Sequence, residues 1–539
     1  MKKFFLFTAV LLMVFNTIFS QQFIARYNGT GNGVDAVKAM IVDNVGNTYV
    51  TGSSFTTANS DDYVTIKYNT SGVRQWMASY NGPGNGSDIP ASIFVDATGN
   101  VYVTGYSDQL TGTFINNDAA TIKYNSNGVQ QWVARFDGAR QRADAGTAVK
   151  ADAAGNVYIT GYTTVRNGAY TKKDYLTVKY SSTGIQQWTA TYNGPANQDD
   201  AAVGIGLDGV GNIYVTGTSF AGADPLGEED YLTIKYNTAG VQQWTARYNG
   251  PISEPDRATA IAVDNAGNSY VTGYSQGIGL DYATVKYSTG GMQQWVARYN
   301  GSANGSDIAY AIALDKNGYV YVTGGDQSVL YNSDYLTVKY NSAGTQQWTA
   351  KYNGPANDND EAYALAVDAL ANVYVTGYVN GTSPSWNIAT IKYNTAGSMQ
   401  WAKLYDGPGH ANDNGAAIGT DANGNVYVSG TSGGATGNAD FVTIKYTAAG
   451  LRMANVTDEI PGNKRLAIYP NPVQNNFTVH LPGDSKYVLT ITDAEGKKVF
   501  ETTTDKTILL INSSSFSNGI YYVKATGTNI AFTQKIIKE

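Results

Sequence analysis

The sequence predicts an all-β fold, an eight-bladed β-propeller closed by its N-terminal strand and followed by a small C-terminal β-sandwich. Three observations carry this reading. The phrase Asp-x-x-Gly-Asn-x-Tyr-Val-Thr-Gly begins at Asp43, Asp96, Asp152, Asp208, Asp264, Asp315, Asp368 and Asp421, with small departures in the last three copies. The copies stand 51 to 56 residues apart, the size of one supersecondary unit that buries its faces only by stacking on the next. Each copy holds four short β-patterned runs with no helical period between them, and the two ends of the array complement each other.

Residues 1–20 read as a signal peptide. Lys2 and Lys3 precede an apolar run from Phe4 to Phe15, and the small Ser20 offers a cleavage point. That run is short for a membrane span, and no other apolar stretch reaches 18 residues. The expectation is an exported protein with no transmembrane span in its mature form.

Residues 21–450 form the array. Around Asp264, the runs Ala260 to Val263, Ser269 to Gly273, Asp281 to Tyr287 and Gln293 to Tyr299 give four strands, with Asp264 to Asn268 as the first turn. The chain enters the array as Gln22-Phe23-Ile24-Ala25-Arg26-Tyr27, a fourth-strand phrase with Phe23 in the tryptophan position. The last unit stops after its third strand, Phe441 to Tyr446, so the entering strand fits the place left open. Residues 451–465, with Pro461 and Gly462, read as a linker. Residues 466–539 alternate around the turns Asp493 to Gly496 and Asn518-Gly519, as a small sandwich does.

Composition agrees. Charged residues are only 15%, while Gly numbers 60 and Tyr 41 in 539 residues. A net charge of −7 gives no basic field for nucleic acid. Cysteine is absent, which excludes disulfides, thiolate metal sites and a cysteine nucleophile.

The repeated phrase, with its Lys-Tyr third strand, resembles the bacterial β-propeller repeat called SBBP and is similar to the NHL repeat. The resemblance covers about residues 21 to 450 and implies a fold, not one activity. Tyr469-Pro470-Asn471-Pro472, Gly519-Ile520-Tyr521-Tyr522-Val523 and the basic terminal strand Lys535 to Lys538 resemble the type A C-terminal sorting domain of the type IX secretion system. That implies the secretion machinery as a partner, passage across the outer membrane, and release or anchoring at the cell surface.

Most arresting motifs read as scaffold. Gly273-Tyr-Ser-Gln-Gly277 and Gly430-Thr-Ser-Gly-Gly434 match a nucleophile elbow, but each leaves a second strand for another strand rather than a helix. Gly204-Ile-Gly-Leu-Asp-Gly209 is a strand and turn with no helix to hold a pyrophosphate. The tryptophans at 76, 132, 188, 244, 295, 348 and 401 are expected to pack between blades.

Two sets of carboxylates remain. Eight residues before each motif Asp stand Asp35, Asp88, Asp144, Asp200, Asp256, Asp307, Asp360 and Asp413. The third strands start at Asp62, Asp118, Asp174, Asp230, Asp281, Asp334 and Asp440, with Asn387 in the remaining unit. The first set is expected to ring the mouth of a central channel. Each Asp of the two sets either caps a turn or pairs with the third-strand lysine (Lys67 and its seven equivalents), the alternative being structural calcium, with the first set as its ligands. No other cofactor is implied. Individual specificity is expected in the long second-to-third-strand loops, with Trp386, Tyr170, Arg166 and Asp224 as candidate binding residues. His410 reads as a solvated loop residue. The expected function is noncatalytic binding or adhesion to an extracellular glycan or protein. The alternatives are a carbohydrate-active enzyme using carboxylates on the loop-rich face and a purely structural surface component.

Overall fold

The computed structural model describes residues 18–56, 60–111, 114–138, 142–167, 170–221, 228–252, 254–329, 332–381, 385–434, 437–449, 467–469, 473, 476–481, 486–506, 508–527 and 531–538. Most of the expected signal peptide, the expected linker and Asp224 lie outside these residues. The chain divides into two compact units, one of residues 24–445 and one of residues 1–23 with 446–539. Among the described residues every regular element is a strand, and no helix is long and apolar enough to cross a membrane.

Each repeat folds as one four-stranded antiparallel sheet in simple chain order. The fifth sheet comprises Asp256–Val263, Ser269–Gln276, Leu280–Tyr287 and Gln293–Tyr299. Its first strand starts four residues before the apolar run expected from the pattern. The ladder shifts register between Ala258 and Ala260, so Thr259 bulges out and Asp256 still pairs with Ser275. Sheets one to seven begin at Asp35, Asp88, Asp144, Asp200, Asp256, Asp307 and Asp360. In the eighth, Ile18–Tyr27 lies beside Ala439–Ala449 in the fourth-strand place, followed by Val426–Gly433 and Asn414–Thr420.

The repeated phrase is a turn with its own hydrogen-bond plan. In the first copy, Asp43 Oδ1 accepts from the backbone N–H of Val45 and Asn47, while Oδ2 accepts from the Asn47 amide and the Tyr49 hydroxyl. One carboxylate thus replaces the pairing that four groups lose at a strand end.

Sheets are tied to one another by three repeated devices. Tyr231 and its equivalents, buried on the third strand, donate across to a third-strand carbonyl of the next sheet, Tyr231 to Ala283 at 3.2 Å. The fourth-strand tryptophan covers the outer turn of the next sheet, with Trp188 Nε1 donating to the Thr238 carbonyl at 3.3 Å. The third-strand lysine does the same, Lys179 Nζ reaching Thr238 O at 3.2 Å while lying 5.3 Å from the Tyr158 ring centroid. The first and eighth sheets are joined likewise, by Lys445 Nζ to Thr70 O at 2.8 Å and Val37 N to Thr431 Oγ1 at 3.1 Å.

The second unit contains two small sheets. One pairs Ala467–Tyr469, Asn476–His480 and Ile508–Asn512; the other orders Lys498–Thr504, Tyr487–Asp493, Gly519–Thr526 and Ala531–Lys538. Phe477, Val479, Leu489, Ile491, Val523 and Ile536 form their common core.

The Trp-on-turn contact is tight enough to test. Gly240 has φ +79°, and a Cβ there would sit 2.6 Å from the Trp188 ring. Gly240→Ala is expected to lower stability by about 1–3 kcal/mol through left-handed strain and overpacking, read as a reduced thermal midpoint.

Candidate functional site

A belt of buried carboxylates runs through the eight sheets. All eight first-set aspartates are fully buried, and each accepts a backbone N–H from the glycine six residues earlier, as from Gly29 to Asp35 at 2.6 Å and from Gly194 to Asp200 at 2.5 Å. In several sheets the other oxygen takes an N–H from the second strand, such as Asp108 N to Asp88 at 3.1 Å and Gly433 N to Asp413 at 2.9 Å. A second-strand hydroxyl stands opposite the acid at Asp35, Asp88, Asp144, Asp200 and Asp256. Burial raises these carboxyls above their usual range, and the donors oppose it. These residues cap the Tyr-Asn-Gly loops; they do not line an open channel mouth, because their side chains are covered by those loops.

The expected pairing with third-strand lysines does not occur. Lys67 lies five residues along the same extended strand from Asp62, about 16 Å away, and the equivalent lysines hold the neighbouring sheet's turn. The partner is instead the fourth-strand arginine. Arg135 forks onto Asp118 Oδ2 through Nε (3.1 Å) and Nη2 (2.9 Å), and also donates to Ser107 and to Tyr80 of the preceding sheet. Arg26, Arg247 and Arg298 repeat this on Asp440, Asp230 and Asp281, and Lys172 serves Asp174. Breaking such a pair from one side leaves an uncompensated buried charge.

The sixth sheet departs from the plan. Where the first five sheets carry Ser or Thr opposite the first-set acid and the seventh carries Val379, it carries Asp326, fully buried, paired with Asp307 in register and with Lys351 as its cation. Burial, then the facing Asp326, raises Asp307 to about 7. A folded-state value above the unfolded one means that stability from this group is full below about pH 4 and is lost as pH rises through about 7. Asp326→Ser is therefore expected to flatten the fall in thermal midpoint between pH 5 and pH 8, measured by unfolding scans across that range.

The other departure is aromatic. The residue bulged from each first strand is Lys38, Ala91, Thr147, Val203, Thr259, Tyr310, Tyr363 and Ala416 in turn. Thr147 and Thr259 reach the next first strand's backbone. In the sixth and seventh sheets the same position brings two tyrosines edge to face, Tyr310 on Tyr363 at 5.2 Å. Tyr363 meets Tyr378 at 5.8 Å, and Tyr378 stacks on Trp386 at 4.5 Å and 26°. Glu361 Oε2 accepts from both Tyr363 (2.8 Å) and Tyr310 (3.4 Å). Trp386 keeps 38% of its surface exposed. Its backbone is held by the loop of the eighth sheet, donating to Asn412 and accepting from Asp413 N.

Trp386 thus belongs to a continuous aromatic run. Tyr170, 81% exposed, and Arg166 flank the hairpin tip of the third sheet, and the structure does not bring them to Trp386. His410 is exposed, sits at φ +46° where equivalent turns carry Asn, and meets Asp406 at 2.8 Å, which raises its pKa. Sequence reading missed Tyr310, Glu361, Tyr363 and Tyr378. Aligning the repeats three residues past the first-set Asp would have exposed the two bulged tyrosines.

Residues 467–539 match the family model described as the secretion system C-terminal sorting domain. The second unit carries a sorting domain. It directs the chain through type IX secretion to the cell surface or the extracellular space, and the secretion machinery is its partner. Ahead of the sorting domain, residues 243–279 and 294–324 match the family model of the β-propeller repeat. An uncharacterised WD repeat-containing protein of Acanthamoeba polyphaga mimivirus is 25% identical over 58% of this chain, which spans only 26% of that protein. Among solved structures, PorZ, described as an essential surface component of the type IX secretion system of Porphyromonas gingivalis, aligns over 93% of this chain and 81% of its own at 13% identity, TM-score 0.26. The periplasmic gluconolactonase PpgL of Pseudomonas aeruginosa aligns over 60% of this chain and 87% of its own at 13% identity, TM-score 0.38.

Proposed function

We propose that this exported chain is a noncatalytic glycan-binding or adhesion protein, its eight sheets forming one closed propeller over residues 21–450. Closure is supported by the N-terminal strand lying in the eighth sheet and by the bonds from Lys445 and Val37 between the eighth and first sheets. The observation behind the binding reading is the Tyr310–Tyr363–Tyr378–Trp386 run around Glu361. Sugars present apolar C–H faces ringed by hydroxyls. A row of amphipathic rings with a carboxylate acceptor beside it suits both parts of that surface. Arg257, held by Glu229 next to Tyr274 in the adjoining sheet, adds a donor at the edge of the row.

A glycan array probed with the full chain and with Trp386→Ala tests this. The expected result is specific retention without turnover, reduced about three- to tenfold by the substitution, in keeping with about 0.5–1.5 kcal/mol for one aromatic contact. Retention unchanged by Trp386→Ala, or none for either protein, would remove the run as a sugar platform.

A further inference from the structure

In most sheets the third-strand acid comes with a cation. The fourth-strand residue facing the third-strand acid is Arg135, Arg247 and Arg298 in the second, fourth and fifth sheets, and Arg26 does this in the eighth. The third sheet has Thr191 there but supplies Lys172 from the acid's own strand. The sixth has Lys351 there, which pairs with the second-strand Asp326. The seventh has Leu404, and its acid is replaced by the neutral Asn387. Cation and carboxylate appear together and disappear together.

The first sheet breaks this rule. Its fourth-strand position is Ser79, opposite Val64, yet the third strand still carries an acid, Asp62. Asp62 is 7% exposed, and no lysine or arginine pairs with it among the described residues. Its Oδ1 is buried without a hydrogen-bond partner. Ser60, just ahead of the strand and bonded through its carbonyl to Thr56 N, is equally buried, and its Oγ also lacks a partner. Asp230, Asp281 and Asp440 leave the same Oδ1 unpartnered, but each holds an arginine on Oδ2. Around Asp62 the charged neighbours are Asp61 and, from the second sheet, Asp88. Both push its carboxyl in the direction burial already does, up to about 6.

We propose that the junction between the first and second sheets binds a calcium ion through Asp62 Oδ1 and Ser60 Oγ beside Asp88, the ion replacing the arginine that the sister sheets carry. The donors are hard oxygens, and the two acids of the junction carry the charge of one divalent cation. An exported chain meets calcium at the concentrations where extracellular modules bind, with Kd about 10⁻⁴–10⁻³ M.

The test compares thermal midpoints of the full chain at pH 8 in millimolar calcium chloride and in EGTA, with calcium binding read by titration calorimetry. The wild type is expected to gain roughly 1–3 °C with calcium. Asp62→Asn, the change already present at Asn387, should lose that gain. Ser79→Arg, which supplies the sister sheets' cation, should lose it as well, with a midpoint in EGTA no lower than that of the wild type. No calcium response in the wild type overturns the proposal. So does a response that survives in both variants, which would put any bound calcium elsewhere.

Discussion

A carboxylate taken out of water must be given donors or a cation, and this array takes out at least one in every sheet and two in most. The first-set aspartates oblige the Tyr-Asn-Gly loop to turn its glycine N–H inward, and they favour a hydroxyl on the second strand. Most third-strand acids draw a cation, usually an arginine of the fourth strand. An arginine that answers one of these also grips a tyrosine of the preceding sheet, as Arg135 grips Tyr80, so charge neutralisation and sheet-to-sheet cohesion become the same bond. Hydrophobic burial drives the stacking. The belt decides which surfaces meet, because a slipped sheet would strand a buried charge.

Much of the fold could be read in advance because it is repeated. A residue required in every sheet, such as the turn Asp or the fourth-strand Trp, announces itself by recurrence. Pairing partners were less legible. Asp118 and Lys123 share a strand and recur together, yet lie five residues apart along it, and nothing in the spacing says that the acid looks sideways to Arg135 on the fourth strand. The bulge after Ala258 was equally hidden, since a one-residue shift leaves the apolar pattern intact.

The aromatic run was legible only in part. Trp386 stood out as a tryptophan outside the fourth strand. Its companions did not, because Tyr is abundant here and most tyrosines are interior pillars. What separates Tyr310 and Tyr363 from these is position. They occupy a bulge that elsewhere holds no aromatic side chain, and two such bulges in succession bring their rings together. Departures from the repeat, and not the repeat itself, mark where this chain is individual.

The strand Ile18–Tyr27 has a consequence for the order of events. Among the first described residues of the chain, it takes its place beside Ala439–Ala449, near the end of the array. The sheet that holds it cannot assemble until almost the whole array has emerged, and drawing such distant segments together carries the entropy of a very long loop. Seven sheets can fold as they appear, whereas the eighth waits for both ends. Until then Ala439–Ala449 lacks its outer neighbour, and a chain cut short of it leaves Ile18–Tyr27 with no strand to pair with.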